Sequence, residues 1–351
     1  MGERETLPAG TRKSRPGIDV CVVGELNLDL ILYGLPKELR PDQEMLADGL
    51  SLTLGSSSAI TAHNLSMLGA RVGFVSKIGP DPLGKVAMER LSAAGVDTSR
   101  VNQAGKTSTG LTVILPHTKS RYILTYPGTM FEMQYSDIDL DYVRSARHVH
   151  LSSFFLHRGL RPQIGELFRQ AKASGLTTSL DTNDDPDDRW GDDLHEVLKH
   201  VDLFFPNERE ANKIAATEDI SQALDFLARL STIVVVKRGS RPAICRTGDQ
   251  DWRAAPPAVT VVDEVGAGDT FNAGFLYLYL QGAKLEDCLA FANIAAAYSV
   301  TQEGGTEAFR DRAKLVEFVN QQWISTGRTD FPLQDQSPHH SQERNHFRVG
   351  Q

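Results

Sequence analysis

Cysteine is scarce: three residues, Cys21, Cys245 and Cys288, stand far apart in a chain of 351. No two form a C-x-x-C pair, so neither a disulfide framework nor a thiolate metal site is expected, and a reducing compartment fits. Positive charge is not in excess either. The 37 Lys and Arg residues against 45 Asp and Glu leave a net charge of −8. With no basic patch, neither nucleic acid nor an anionic membrane is an expected partner. Apolar runs long enough to span a bilayer are missing. The leader from Met1 to Pro16 is polar and lacks the apolar core of a secretory signal. These absences together point to a cytoplasmic protein.

What is present centres on one stretch, Asp263-Glu264-Val265-Gly266-Ala267-Gly268-Asp269-Thr270-Phe271-Asn272-Ala273-Gly274-Phe275. The β-branched run Ala258–Val262 before it reads as a strand, and Phe271, Phe275 and Leu278 after it recur at helical spacing. A glycine turn that opens a helix leaves backbone N–H groups unpaired around one spot, and the helix dipole adds positive potential there. Gly266 and Gly268 have no Cβ, so an anion can approach the backbone. Asp269 then places a carboxylate beside an anion site. That pairing is repulsive unless a cation or a proton transfer is involved. The stretch is not a dinucleotide fingerprint, because the third glycine would have to stand at Phe271.

Elsewhere the pattern alternates. Strands are expected at Ile18–Gly24, Val72–Ile78, Thr177–Leu180, Val201–Phe205 and Ile233–Val236, with helices at Val86–Ala94, Ile164–Ala173, Ile220–Leu230, Leu285–Val300 and Ala313–Trp323. Such alternation implies βαβ units and a mostly parallel sheet covered on both faces. Thr109–Leu115 and Arg121–Tyr126 read as a hairpin that joins segments near 28–32 and 46–54 in a small separate sheet. Asn27 and Asp29 share one face of an extended segment, an amide and a carboxylate suited to hydroxyl groups.

Three patterns are discounted. Gly79-Pro80-Asp81-Pro82-Leu83-Gly84-Lys85 has P-loop spacing, but Val86 replaces the required Ser or Thr and two prolines remove donors. Asp181 to Asp192 mimics a calcium loop, but Pro186 stands where a glycine is needed, so an acidic, solvated loop is expected. His148 and His150 lack a third ligand and read as core or edge histidines. Two further strand ends look chemical: Pro206-Asn207-Glu208-Arg209-Glu210, a capping-box pattern that could also organise a hydrated Mg²⁺, and Lys237-Arg238-Gly239.

The order and spacing of Gly24-Glu25-Leu26-Asn27-Leu28-Asp29, Gly69 to Gly84, Asn207-x-x-Glu210, Gly266-Ala267-Gly268-Asp269 and Ala292 to Ala297 resemble the ribokinase (PfkB-type) carbohydrate kinase family from about Ile18 to Trp323. The resemblance implies a three-layer α/β/α fold with a mostly parallel central sheet and a small β-sheet lid. The core would comprise residues 18–29, 55–106 and 129–325 and the lid residues 30–54 and 107–128, with disordered tails at 1–17 and 326–351. It implies transfer of the γ-phosphoryl group of ATP to a sugar or sugar-like hydroxyl, with Asp269 as base. Gly266, Ala267 and Gly268 would cradle the developing charge. Asn207 and Glu210 would organise Mg²⁺ (Glu210 through water), Lys237 and Gly239 would lie along ATP, and Asn293 near the adenine. Asn27, Asp29, Gly55 and Ser56 would face the sugar. Asp263 would sit by a monovalent cation such as K⁺, and the lid is a candidate surface for a homodimer.

Departures from the family pattern loosen the substrate. Ser56 replaces a second glycine, Ile60 an asparagine that serves the sugar, and Glu264 a threonine-like residue. Asp185 stands where many members carry arginine. An aspartate at a helix N-terminus is expected to stay ionised near neutrality. Alternatives are a nucleoside kinase, a catalytically silent sugar or nucleotide sensor on the same fold, and a nicotinamide-dependent oxidoreductase.

Overall fold

The computed structural model describes residues 17–117, 120–329 and 333. The first half of the chain runs β1 (Val20–Val23), β2 (Leu28–Tyr33), β3 (Gly49–Leu54), α1 (Ser57–Leu68), β4 (Val72–Ile78), α2 (Pro82–Ala93), β5 (Asp97–Gln103), β6 (Leu111–His117), β7 (Ser120–Tyr126) and α3 (Leu140–Arg144). It continues as β8 (His148–Leu151), α4 (Ile164–Ala173), β9 (Thr177–Leu180), α5 (Asp192–Leu198), β10 (Leu203–Phe204), α6 (Glu208–Ile214), α7 (Ile220–Leu227) and β11 (Ile233–Val236). The last elements are β12 (Ala243–Thr247), β13 (Gln250–Ala254), α8 (Ala267–Leu280), α9 (Leu285–Ser299) and α10 (Arg312–Ser325).

Nine strands form one sheet in the order β13-β12-β11-β10-β9-β8-β1-β4-β5. β12 pairs antiparallel with both neighbours and the other pairings are parallel. Residue alternation along β1 explains the three layers. Val20 and Val22 point into a core built with α1, α8, α9 and α10. Cys21 and Val23 point into a second core built with α4, α5, α6 and α7. Both faces are apolar because both are covered. β1 is bordered by β4 on one side and β8 on the other, so crossovers leave it in opposite directions and open a crevice at the carboxyl ends of the strands. A separate four-stranded sheet, β3-β2-β6-β7, stands beside that crevice. Ile31 and Ile114 on its inner side pack on Val265.

The expected strand at Ala258–Val262 is absent. Val261 and Val262 are 54% and 53% exposed, and Val262 N–H donates to the Val300 carbonyl instead. The segment pairs with no strand of either sheet and leads from β13 into the glycine turn instead. The β12–β13 hairpin was not anticipated, although its two-residue Gly248-Asp249 loop, with Gly248 at φ 54°, is a turn signal. The discounted P-loop is a helix cap: Asp81 Oδ1 accepts from Gly84 N–H at 2.9 Å and Oδ2 from Thr109 N–H at 2.7 Å. His148 and His150 are buried and hydrogen-bonded to Thr177, Ser179 and Ser152. Of the expected tails, residues 1–16 and most of 330–351 lie outside the described residues. Residues 326–329 do not: Arg328 pairs with Asp287 at 2.6 Å. No helix among the described residues is long and apolar enough to cross a membrane.

Candidate active site

The carboxyl ends of β1, β8, β9, β10 and β11 and the N-terminus of α8 converge on one crevice. Gly266 caps α8 at φ 73°. A Cβ there would come within 2.6 Å of Gly305 Cα, so both conformation and space demand glycine. Ile60 presses on the same turn: its Cγ2 would lie 3.2 Å from that Cβ, and its Cδ1 2.7 Å from one on Gly305. Ile60 therefore braces the glycine turn from behind.

Asp269, at the third position of α8, is 8% exposed. Burial first and the neighbouring Asp181 second push its proton affinity up to about 7, against the opposing pull of Lys237 and a hydrogen bond from Ser57. This corrects the expectation of a plainly ionised aspartate. Burial outweighs the helix dipole. Asn183 Nδ2 donates to Ser57 Oγ at 2.6 Å and to Ser153 Oγ at 2.8 Å. Ser153 in turn donates to Glu25 at 2.7 Å. Glu25 is buried, but bonds from His157 and Ser153 overcome the burial penalty and hold its carboxyl at about 2.

On the lid side, Asn27 N–H donates to Ser56 Oγ at 2.8 Å, while the buried Asn27 Oδ1 has no partner. Ser56 adopts φ 67°, a conformation that a second glycine would hold without strain. A Cβ on Gly55 would fall 2.1 Å from Asp29 Oδ1, and one on Gly110 2.4 Å from Asn27 Oδ1. These glycines keep room for the two polar side chains. Burial, then Asp269 and Asp263, raise the Asp29 carboxyl to about 7.

Asn207 caps α6 and forms a capping box with Glu210, as the sequence suggested: Asn207 N–H donates to Glu210 Oε2 at 2.8 Å and Glu210 N–H to Asn207 Oδ1 at 2.9 Å. Glu210 is buried, and burial together with Asp181 raises it to about 7. Lys237 closes an ion pair with Asp181 and lies beside Gly268. Gly239 takes φ 59° with open space at its α-carbon. Asn293 donates to the Ala254 carbonyl at 2.8 Å, tying α9 to β13. Asp263 is a loop staple, accepting from Tyr33 Oη, Gly304 N–H and Val265 N–H at 3.0 Å each. Ala267 begins α8.

Sequence reasoning missed Asp181, Asn183, Glu25, Ser57 and His157 as members of this site. The loop after β9, expected to be solvated, has Asp181 and Thr182 buried, and Asp185 accepts from Asp187, Arg189 and Trp190 N–H groups. The available signal was the position of Asp181 and Asn183 at a strand's carboxyl end.

The pfkB carbohydrate kinase family matches residues 18–312. The chain belongs to that family. A sugar kinase of Archaeoglobus fulgidus is 32% identical over 69% of this chain and 96% of its own length. An ATP-dependent ribose-1-phosphate kinase of Halopiger xanaduensis is 32% identical over 83% of this chain and 95% of its own. Arabidopsis thaliana ribokinase, solved with ribose and ATP, superposes with a TM-score of 0.74 at 28% identity, covering 86% of this chain and 99% of that one. The ribokinase-like three-layer fold expected from the sequence holds, and the chain is a carbohydrate kinase.

One consequence concerns the unliganded kinase. Asp29, Asp269 and Glu210 all hold protons more tightly when folded than the ordinary carboxylate value. Their contribution is fully present below that ordinary range and is lost as pH rises through about 7. The buried His63, His148 and His150, whose proton affinity burial lowers, give the opposite slope below about pH 6.5, so the melting temperature of the ligand-free protein is expected to fall between about pH 6.5 and about pH 8. Calorimetry that gave a flat or rising profile would contradict this account of the crevice.

Proposed function

We propose that this kinase transfers the γ-phosphoryl group of ATP to a hydroxyl of a sugar or sugar-like substrate, with Asp269 as the base. The observation that carries the reading is a buried carboxyl in the first turn of a helix whose glycine N-terminus is open to an anion. The acceptor O–H bond breaks toward Asp269 as the new P–O bond forms and ADP leaves. The N–H groups of Gly266, Ala267 and Gly268 stabilise charge that develops on the transferred group, the Ala267 N–H turning from the Glu264 carbonyl to which it donates at 3.3 Å, and Lys237 adds a cation beside them. Asn27 Oδ1 and Asp29 offer acceptors to sugar hydroxyls, with Gly55 and Ser56 shaping that wall. Gly239 leaves room along the nucleotide, and Asn293 supports its far end.

Glu210 and Asn207 fit a hydrated Mg²⁺. A buried carboxyl crowded by Asp181 and Asp184 is one that a divalent cation would relieve. Magnesium would neutralise phosphate charge when bound. Asp263 Oδ1 accepts only from Val265 N–H and keeps a lone pair that K⁺ could use, whereas Oδ2 already accepts two hydrogen bonds and Glu264 points to solvent. The lid, residues 30–54 and 107–128, would exclude water over the core, residues 18–29, 55–106 and 129–325. A cytoplasmic setting agrees with three free, buried thiols and with ATP as phosphate donor.

A panel of pentoses, hexoses, sugar phosphates and nucleosides, read by ADP release with ATP and Mg²⁺, tests the proposal. At least one acceptor is expected to stimulate release strongly. Binding without release would mark a sensor, and stimulation by nucleosides alone would replace the sugar with a nucleoside.

The lid also supports a homodimer. One of its faces carries Leu50, Tyr122, Leu124 and Tyr126, all more than half exposed. A contiguous apolar face of that kind calls for a cover, and a second copy brings an identical one. Leu124→Asp is expected to convert a dimer into a monomer in light scattering. A wild-type monomer at micromolar concentration would remove the dimer.

A further inference from the structure

Asp181 has no part in the scheme above, yet it lies between its parts. It follows β9 directly and is buried. Its Oδ2 accepts from the Lys237 ammonium and from Asn272 Nδ2 at 2.6 Å, and its Oδ1 from Asn183 N–H at 3.1 Å. Asn272 lies on α8 three residues beyond Asp269. Lys237 Nζ would stand 3.6 Å from a Cβ on Gly268, so the ammonium covers the open side of the glycine turn. Asn183 braces Ser57, whose hydroxyl reaches Asp269. One carboxylate thus touches the cation over the turn, the helix that carries the base, and the loop that supports the base.

A buried ion pair is a weak source of net stability, since desolvation offsets most of the attraction. Its placement therefore asks for another reason. We propose that Asp181 is a positioning residue for phosphoryl transfer, holding the Lys237 ammonium over the Gly266–Gly268 turn where charge develops on the transferred group. The proposal rests on the kinase reading. Lysine is a point charge on a flexible four-carbon stem, and without an anchor its ammonium samples many positions. Burial opposes charge on Lys237, and Asp181 is the main influence that keeps it protonated.

A second effect runs through the base. Asp269 faces Asp181 after β9, Lys237 after β11, Ser57 on α1, Glu25 after β1 and Asp29 on β2. After burial, Asp181 is the chief reason that Asp269 retains its proton. Removing that charge lets Asp269 ionise at lower pH.

The test uses Asp181→Asn, Lys237→Met and the double variant of the full chain, assayed with ATP, Mg²⁺ and an acceptor found in the panel. Asp181→Asn is expected to lower kcat by about tenfold or more, the scale of losing alignment at a reacting centre, with the acceptor KM unchanged. The acid limb of its kcat–pH profile moves to lower pH. Lys237→Met leaves Asp181 as an unpaired buried anion facing the phosphates, so the KM for ATP rises. Adding Asp181→Asn to Lys237→Met lowers that KM again. The proposal fails if folded Asp181→Asn keeps the wild-type kcat and acid limb, or if the two substitutions act additively. Should Asp181→Asn alone not fold, the double variant, which leaves no unpaired charge, carries the same ATP KM comparison. A wild-type protein that releases no ADP with any acceptor overturns the kinase reading and the proposal together; an active wild type with an additive cycle overturns the proposal alone.

Discussion

Asp269→Asn is expected to reduce kcat by about 10²- to 10⁴-fold, the usual contribution of a positioned general base, while ATP binding stays within a few-fold of wild type. The amide keeps the size and some of the hydrogen bonding of the carboxyl, so the glycine turn should survive, but it cannot take the acceptor proton. The same reasoning sets the pH profile. With the base near 7, wild-type activity should fall on the acid side of neutrality as Asp269 becomes protonated. Removal of a buried carboxyl that repels Asp181 and Asp29 should also raise the melting temperature above pH 7. Substantial turnover in the variant, measured beside calorimetric titration of the nucleotide, would end the assignment of Asp269.

Gly266→Ala is the second large effect. At φ 73° an alanine is strained by roughly 1–3 kcal/mol, a cost set by the backbone alone. Its Cβ would also meet Gly305 Cα at 2.6 Å and Ile60 Cγ2 at 3.2 Å. Neither neighbour is the far end of a flexible chain, so the turn itself must shift. Loss of an aligned N–H donor of this kind lowers kcat by about 10²–10³-fold. The expected outcome is a folded protein with a lower melting temperature and a collapsed kcat. Wild-type turnover in Gly266→Ala would show that the amides do not stabilise the transferred group. Gly268→Ala provides a contrast: its Cβ meets only Lys237, at 3.6 Å and beyond, an ordinary contact distance, and a smaller loss is expected.

These two residues were legible in the sequence because the demands on them are local. A helix that starts at glycines and carries an acid in its first turn advertises an anion site whatever surrounds it. The parallel sheet was legible for a similar reason, since apolar runs covered on both faces read as continuous hydrophobic segments. Local readings failed where a partner was required. Ala258–Val262 has the composition of a strand but no strand to pair with, and it remains exposed. Asp181 and Asp185 look like solvated acids in a row, yet tertiary packing buries both, one on Lys237 and Asn272 and the other on three backbone amides. Ile60, which looked like a change in the sugar pocket, packs behind the glycine turn.

By itself the sequence determined the family, the alternating architecture, and the glycine turn with its aspartate, because periodicity and backbone freedom are written within a dozen neighbouring residues. Tertiary structure alone decided the proton affinities and the ion pairing in the crevice. Asp181 meets Lys237 and Asn272 across 56 and 91 residues of chain, and the charge of a buried acid depends on which distant groups folding brings beside it.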